Sequence, residues 1–304
     1  MIGITDFFAN ILSYIIDPIY GLVGNYGVAV ILFTVVVKIL LVPLGVKQQR
    51  TMVKTKQIKP ELDKIQSKYK NDKEKLNEET MKVYQIYDIN PMGGCLPLLV
   101  QFPILLGLYR VIQYPISWIL RSTPVEAIEN IISKGIITKE QAVEGLKSLA
   151  EGRDKLAGLN SVSDIVSVFE KETSLGVTQI DIASKFDLVN FNFLGLDLSA
   201  TPDISHPGLI WIVPIMATAA AFFSNWGSSK LNPVSEEQQQ TMKSMNLMMP
   251  LMTLFFTFTL SAGIGLYWFC STMLSVAQMY LLTKYFERKY PIETASAKGK
   301  GKKK

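Results

Sequence analysis

The sequence predicts an all-α, polytopic membrane protein with five transmembrane helices. Hydrophobic residues make up 48% of the 304 residues and charged residues only 19%, and the apolar residues fall in long runs. The run Gly27–Val46 is twenty residues long, and a helix of that length spans roughly 30 Å, the thickness of a hydrocarbon core. The run Leu247–Leu282 has 36 residues, too many for one crossing. We therefore expect it to break at the small residues 261–265 and to form two spans.

Residues 1–26 are expected to form an interfacial amphipathic helix on the extracytoplasmic side. Phe7 and Ile11 recur at helical spacing, and Asp6 and Asp17 lie between the apolar positions. These acids, together with the lack of a basic segment before them, are atypical of a signal peptide. A first membrane span is the alternative interpretation. Transmembrane helix 1 then occupies 27–46.

Residues 47–92 predict a cytoplasmic helical hairpin. They contain eleven Lys or Arg residues against seven acids, which suits a solvated face or anionic lipid head groups. Asn71-Asp72 is the expected turn, and Pro60 is expected in the first turn of a helix.

The remaining chain alternates spans with polar stretches. Thr123, Thr138 and Ser161 are expected to start short helices within the acidic stretch after the second span. The predicted segments are transmembrane helix 2 (95–112), an extracytoplasmic loop with a helical insertion (115–207), transmembrane helix 3 (209–223), a cytoplasmic loop (224–246), transmembrane helix 4 (247–260), transmembrane helix 5 (264–282) and a basic cytoplasmic tail (283–304).

The distribution of basic residues predicts the orientation in the membrane. The hairpin and the tail after Thr283 carry the basic excess and fall on the same side of five spans. Because cytoplasmic segments near membrane spans are enriched in Lys and Arg, we expect the C-terminus in the cytoplasm and the N-terminus outside.

Lys38 is notable because it lies near the middle of the first predicted span. A cation there costs at least about 2.5–3.5 kcal/mol on insertion scales, so it normally faces a protein interior or a water-filled cavity. The alternatives are snorkelling and structural pairing with a carboxylate, but no other predicted span contains Asp or Glu. We expect Lys38 to lie in a hydrophilic groove. The other residues predicted to line the groove are Thr34, Gln101, Ser224, Asn225, Trp268, Ser271 and Thr272.

Part of this prediction comes from a polar stripe on the fifth span. Trp268, Ser271, Thr272 and Ser275 have the spacing of one helix face. Polar residues of this kind can also be interhelical contacts, typically worth under about 1–2 kcal/mol per hydrogen bond. The unpaired cation on the first span favours the groove.

Motifs for hydrolysis or nucleotide chemistry do not occur in the sequence, so we expect neither an enzyme nor a cofactor. The only histidine, His206, is expected in a surface loop. An ion or solute transporter with Lys38 as an anion site is the alternative function, although no internal repeat typical of transporters is evident.

The sequence resembles the YidC family of membrane protein insertases, which includes mitochondrial and chloroplast relatives. The most specific segment is NPMGGCLP at 90–97, followed by Gln101 and Pro103. Asn25-Tyr26-Gly27 and Gly265-Leu266-Tyr267-Trp268 are also similar to the family. The resemblance covers residues 25–113 and 190–285 but not the insertion at 120–190.

The resemblance implies an insertase with five core helices around a hydrophilic groove, acting on nascent membrane proteins alone or with the Sec translocon. The family usually has arginine where Lys38 stands, so bidentate contact with a carboxylate is not expected here. A Gram-positive-type bacterial plasma membrane protein is the best fit. The basic tail suggests contact with ribosomal RNA, with topology control or disorder as the alternative; its lysines are Lys298, Lys300, Lys302, Lys303 and Lys304.

Overall fold

The computed structural model describes residues 4–89, 96–150, 156–171, 177–231 and 236–289, with the backbone alone at 96–101, 231 and 236–246. The predicted all-helical fold is confirmed for this part of the chain. The α-helices are α1 (Ile4–Val23), α2 (Tyr26–Leu40), α3 (Val42–Lys68), α4 (Lys73–Ile86), α5 (Leu96–Gln113), α6 (Pro115–Trp118), α7 (Pro124–Ser133), α8 (Lys139–Leu149), α9 (Val162–Lys171), α10 (Gln179–Lys185), α11 (Ile212–Leu231), α12 (Glu236–Thr259) and α13 (Ala262–Lys289).

The chain divides into two compact units. Unit 1 comprises Met1–Thr34, Val100–Ile215 and Phe255–Trp268, and unit 2 comprises Val35–Leu99, Met216–Leu254 and Phe269–Lys304. Two predicted features lie outside the described residues: most of the NPMGGCLP segment, at 90–95, and the lysine tail, within 290–304.

In unit 1, local capping rules place the short helices after α5. Thr123 and Thr138 each form a capping box at the start of α7 and α8. The Ser161 hydroxyl accepts a hydrogen bond from the Asp164 amide at 3.1 Å at the start of α9. All three predicted helix starts are therefore found. The structure adds α6 and α10, of which α10 begins at a third capping box, on Thr178.

The chain between α10 and α11 forms a small β-ribbon and a loop. Strands β1 (Asn192–Phe193) and β2 (Leu196–Asp197) pair antiparallel, and a 3₁₀ helix, Leu209–Trp211, precedes α11. His206 lies in the exposed loop, as expected, with Nδ1 2.6 Å from the Asp203 carboxylate.

Helix α1 turns its acidic side toward the rest of unit 1. Asp6 accepts a hydrogen bond from Arg110 on α5 at 2.6 Å, and Asp17 accepts one from Arg121 at 2.6 Å. Phe7 and Ile11, which were expected to mark the apolar side of an interfacial helix, are exposed. The side of α1 that faces the protein therefore carries two ion pairs together with the buried residues Ala9, Leu12 and Ile16.

In unit 2, α3 and α4 form a helical hairpin with a turn at Asn71 and Asp72. The Asp72 carboxylate caps α4 by accepting a hydrogen bond from the backbone N–H of Lys75, with 3.1 Å between the nitrogen and the oxygen. The hairpin is held by a buried apolar cluster: Ile58, Leu62, Val83, Tyr84 and Ile89.

Pro60 was expected in the first turn of a helix, but it lies inside α3. A proline there removes one backbone hydrogen bond. Ile58 and Leu62, which flank it, are buried in the cluster against α4, and this packing compensates for the lost bond.

Two predicted boundaries are corrected. The helix predicted over 27–46 breaks at Leu41, where α2 and α3 are bent by 59°. Pro43 lies in the first turn of α3, and its missing N–H leaves the Ile39 carbonyl without its helical donor. The stretch predicted as a loop at 224–246 is helical at 224–231 and 236–246. The second part begins with Glu236, Glu237 and three glutamines, which are good helix formers.

One continuous helical segment in the described part of the chain, Leu209–Lys230, is long and apolar enough to cross a membrane. The bent pair Tyr26–Leu40 and Val42–Lys68 makes a second if both helices belong to one span, and Phe102–Gln113 and Leu247–Thr259 are apolar but shorter. The five predicted spans remain a prediction.

Candidate functional site

Lys38 lies in the last turn of α2 and is half-buried. Its Nζ donates a hydrogen bond to the Ser275 hydroxyl on α13 at 2.7 Å, and that hydroxyl donates to the Ser271 carbonyl at 2.8 Å. Among the described residues, no carboxylate lies within ion-pair distance of Lys38. A hydroxyl accepts the hydrogen bond without neutralising the charge.

The position of Lys38 within its helix also bears on its charge. The last turn of a helix carries carbonyl groups with partial negative charge, which stabilise a cation by about 0.3–1 kcal/mol. The sequence placed Lys38 near the middle of a twenty-residue span, whereas the break at Leu41 places it at a helix end. The cost of its charge is therefore lower than in a continuous helix.

The other residues predicted to line a groove fall in both units. In unit 1, Thr34 is buried and its hydroxyl donates to the Val30 carbonyl at 2.6 Å. Trp268 is half-buried and stacks on Phe256 with ring centroids 6.1 Å apart. The side chain of Gln101 lies outside the described residues.

In unit 2, the described contacts bring Lys38 together with α13. Ser271 is buried and Thr272, which follows it, is half-buried. Ser224 and Asn225 are half-buried and lie within α11, beyond the predicted end of the third span at residue 223. Their place in a groove with Lys38 remains a prediction.

The Lys38–Ser275 contact belongs to a group of polar contacts that connect α2 and α3 to α13 in the described part of the chain. The Gln49 amide donates to the Thr283 hydroxyl at 2.6 Å, and that hydroxyl donates to the Met279 carbonyl at 2.7 Å. Both side chains of this second contact are buried. We call these three contacts the polar seam: Lys38–Ser275, Gln49–Thr283 and Lys56–Glu287.

The outer end of the polar seam is an ion pair. Lys56 Nζ lies 2.7 Å from the Glu287 carboxylate, and both side chains are partly exposed. Between the two other contacts, the backbone at Gly45 approaches the amide of Gln278 so closely that a Cβ would overlap it. The seam thus runs from the half-buried cation to a partly exposed ion pair.

Sequence reasoning identified one half of the polar seam more easily than the other. Ser275 belongs to the predicted polar stripe, one turn after Ser271, and Thr283 lies two turns further along. Gln49 and Lys56 stand in a highly charged stretch, where nothing distinguishes a buried polar residue from a solvated one. Their role was missed for that reason.

Comparison with known proteins identifies related sequences. The family described as 60Kd inner membrane protein matches residues 18–289, from within α1 to the end of α13. The membrane protein insertase YidC of Clostridium tetani is 28% identical over 289 residues, which is 95% of this chain and 94% of the relative. The protein of that name from Fusobacterium nucleatum is 27% identical over 273 residues, 90% of this chain and 93% of the relative.

A third relative matches a shorter stretch of the chain. The membrane protein insertase YidC of Syntrophobacter fumaroxidans is 47% identical over 111 residues, which is 36% of this chain and 20% of that relative. This match is shorter than the other two, and its identity is higher.

Proposed function

The chain belongs to the 60Kd inner membrane protein family, and from this premise we propose that it is a membrane protein insertase that inserts and folds nascent proteins into the bacterial plasma membrane. Two full-length relatives carry the name membrane protein insertase YidC and match at least 90% of this chain. The described helices and the apolar segment Leu209–Lys230 suit a membrane location.

The observation that carries the mechanism is the Lys38–Ser275 hydrogen bond. Lys38 is anchored on α13 through a neutral hydroxyl at 2.7 Å, so its positive charge stays available to a second, anionic partner. In our proposal that partner is an acidic group in the extracytoplasmic tail of the substrate. Attraction at reduced dielectric is stronger than in water, and it lowers the barrier for moving the tail into the membrane.

The other predicted groove residues complete the proposed path. We propose that the polar groups of this set hydrate the tail, and that the apolar segment of the substrate leaves into lipid. Burial of the apolar segment in lipid contributes about 0.8 kcal/mol of favourable free energy per CH₂. This gain offsets the free-energy cost of transferring a short polar tail, so the step needs neither covalent chemistry nor a cofactor. The proposed path comprises Thr34, Gln101, Ser224, Asn225, Trp268, Ser271 and Thr272.

The membrane topology and partners follow from the same proposal. We propose five spans with the N-terminus outside and the C-terminus in the cytoplasm, an orientation that the basic hairpin and tail support. The α3–α4 hairpin then faces the cytoplasm and is positioned to contact the Sec translocon, and the lysine tail to contact ribosomal RNA phosphates.

The test is rescue of a bacterium depleted of its own insertase. Cells would express the chain unchanged or with Lys38→Arg, Lys38→Ala, Lys38→Glu or Ser275→Ala. Insertion of a small single-span protein is scored by protease accessibility of its tail at equal expression. Lys134→Ala, an exposed lysine at the end of α7, is the matched control.

We expect the unchanged chain, Lys38→Arg and the control to rescue insertion, and Lys38→Ala and Lys38→Glu to fail. Ser275→Ala should reduce insertion, because it removes the hydroxyl that anchors the Lys38 ammonium on α13. Failure of the unchanged chain to rescue would contradict the insertase proposal. Rescue by all Lys38 variants would instead show that the charge is dispensable.

A further inference from the structure

In unit 2, a set of lysine–aromatic pairs lies on the exposed sides of α11 and α13. Lys230 Nζ stands 4.2 Å from the ring centroid of Trp226, and Lys284 Nζ stands 4.5 Å from that of Tyr280. Each lysine follows its aromatic residue by four positions, one helical turn. We call the three pairs the lysine–aromatic belt: Trp226–Lys230, Tyr280–Lys284 and Tyr285–Lys289.

The pairs on the two helices lie at the same level. Gly227 on α11 lies next to Met279 on α13. A Cβ added to Gly227 would lie 3.6 Å from the Met279 methyl carbon. Trp226 and Tyr280 are the immediate neighbours of these two contact residues. The belt therefore combines residues of two helices that approach each other at Gly227 and Met279.

The rings of the belt lie where each helix changes from apolar to charged. On α11, the exposed residues Phe222 and Phe223 precede Trp226, and Phe223 stacks on it at 5.9 Å. On α13, Leu281 is 66% exposed next to Tyr280. Tyr and Trp are enriched at membrane interfaces because their rings have an apolar body and a polar tip.

The charge of the belt is positive. Lys230, Lys284 and Lys289 are exposed, and so is Arg288. The neighbouring acid Glu287 forms an ion pair with Lys56. An ammonium over a ring face keeps N–H donors that point away from the ring, and these donors suit phosphate oxygens.

We propose that the lysine–aromatic belt binds the head groups of anionic phospholipids, with the lysines on the lipid phosphate and the rings at the level of the glycerol backbone. Exposed apolar side chains on one side and cations on the other match the two parts of a lipid. The site goes beyond insertion itself, since it requires only that the chain resides in a membrane.

Trp226 allows a direct test. The full-length protein would carry Trp118→Phe, Trp211→Phe and Trp268→Phe, so that Trp226 is the only one of the four tryptophans that remains. It is reconstituted in phosphatidylcholine vesicles that contain the same mole fraction of either brominated phosphatidylglycerol or brominated phosphatidylcholine. The ratio of the two quenching efficiencies gives the lipid preference next to Trp226 and cancels changes in intrinsic fluorescence.

We expect phosphatidylglycerol to be enriched about fivefold, the factor that corresponds to about 1 kcal/mol per lysine near a membrane surface. Lys230→Gln should reduce the ratio to about one, whereas Lys230→Arg and the control Lys134→Gln should leave it high. Equal quenching by both lipids in the parent protein would overturn the proposal. An unchanged ratio in Lys230→Gln, or an equal loss in Lys134→Gln, would do the same.

The rival ligand is the phosphate backbone of RNA, and a second measurement separates it. Ribosome co-sedimentation is compared between the parent protein and the triple variant Lys230→Gln, Lys284→Gln, Lys289→Gln. If the triple variant loses ribosome binding but keeps the lipid preference at Trp226, the belt is an RNA surface and the lipid proposal is wrong. If it loses the lipid preference and keeps ribosome binding, the proposal is supported.

Discussion

The buried contact between Gln49 and Thr283 should contribute measurably to stability, and the two single variants should differ. Gln49 is 4% exposed and Thr283 is fully buried. The Thr283 hydroxyl accepts from Gln49 at 2.6 Å and donates to the Met279 carbonyl at 2.7 Å. The contact joins α3 to α13 in the middle of the polar seam, so it bears on how Ser275 is presented to Lys38.

The loss of stability in each variant depends on which buried polar group is left without a hydrogen-bond partner. Thr283→Val is nearly isosteric and leaves the Gln49 amide buried without its acceptor, which costs about 1–3 kcal/mol. Gln49→Leu removes the donor, but the Thr283 hydroxyl keeps its bond to Met279, so we expect a loss of about 0.5–1.5 kcal/mol. In the double variant both partners are apolar, and the loss should be about 1 kcal/mol smaller than the sum of the single losses.

The assay is unfolding of the purified full-length protein in mixed micelles by titration with dodecyl sulfate, followed by circular dichroism. Thr55→Val is the matched control, because the Thr55 hydroxyl donates to the Thr51 carbonyl within α3 at 3.0 Å. Thr55→Val should change the free energy of unfolding by no more than about 0.5 kcal/mol. In the double variant with Gln49→Leu, the two losses should be additive. Additive losses for Gln49→Leu and Thr283→Val would refute the reasoning, as would a larger loss for Gln49→Leu than for Thr283→Val.

Three further predictions use the same unfolding measurement. Gly107→Ala should destabilise by about 1–3 kcal/mol, since its methyl would lie 2.9 Å from the backbone of Phe8 and force α1 away from α5. Lys56→Glu and Glu287→Lys should each destabilise by about 0.5–1 kcal/mol, as expected for a partly exposed ion pair, and the double exchange should recover the loss. Glu126 accepts a backbone N–H at the start of α7, which lowers the pKa of its carboxyl; its stabilisation should be complete above about pH 4.3 and disappear as the pH falls through the lowered value.

Each of these three has a distinct contrary outcome. If the unfolding midpoint of Gly107→Ala equals that of the parent protein, α1 and α5 can move apart to accept the methyl group without loss of stability. A double charge exchange no more stable than either single variant would mean that the two residues do not interact. For the pH dependence, Glu126→Ala should lose less stability than the parent protein between pH 7 and pH 3, and equal losses would exclude a contribution of this carboxyl.

Features governed by neighbouring residues could be predicted from the sequence. Thr123, Thr138 and Ser161 start helices as expected, because a cap depends on a side chain and an amide only three positions apart. The break at Ser261 could also be predicted. An apolar run of 36 residues is too long for one membrane crossing, and the small residues 261–265 are the local signal for a break within it.

Helix boundaries within polar or apolar stretches were less predictable. Polarity in 224–246 indicates contact with water, but it does not distinguish a loop from an exposed helix, and the described part of this stretch is helical. Apolarity in 27–46 likewise gave no sign of the 59° bend at Leu41, because a proline can either kink a helix or begin a new one.

Contacts between distant segments could not be predicted at all. The side of α1 that faces the protein depends on Arg110 and Arg121, each 104 positions away from its acidic partner. A helical stripe gives the direction of a side chain on its own helix, but not the register against another helix. Gln49 and Thr283, separated by 234 positions, meet only because α3 and α13 pack in one particular register.

This register also changes what Lys38 can do. The sequence alone left a carboxylate partner or a hydrated groove open for a mid-span cation, and in the described structure the contact of Lys38 on α13 is a hydroxyl. Ser275 accepts the hydrogen bond, and its own proton goes to the Ser271 carbonyl, so the position of the ammonium is fixed while its charge is not cancelled. A carboxylate in place of Ser275 would neutralise the site, and an apolar residue would leave the cation without its anchor. A serine at this position combines a fixed geometry with an available charge, the combination that the proposed attraction of an acidic substrate tail requires.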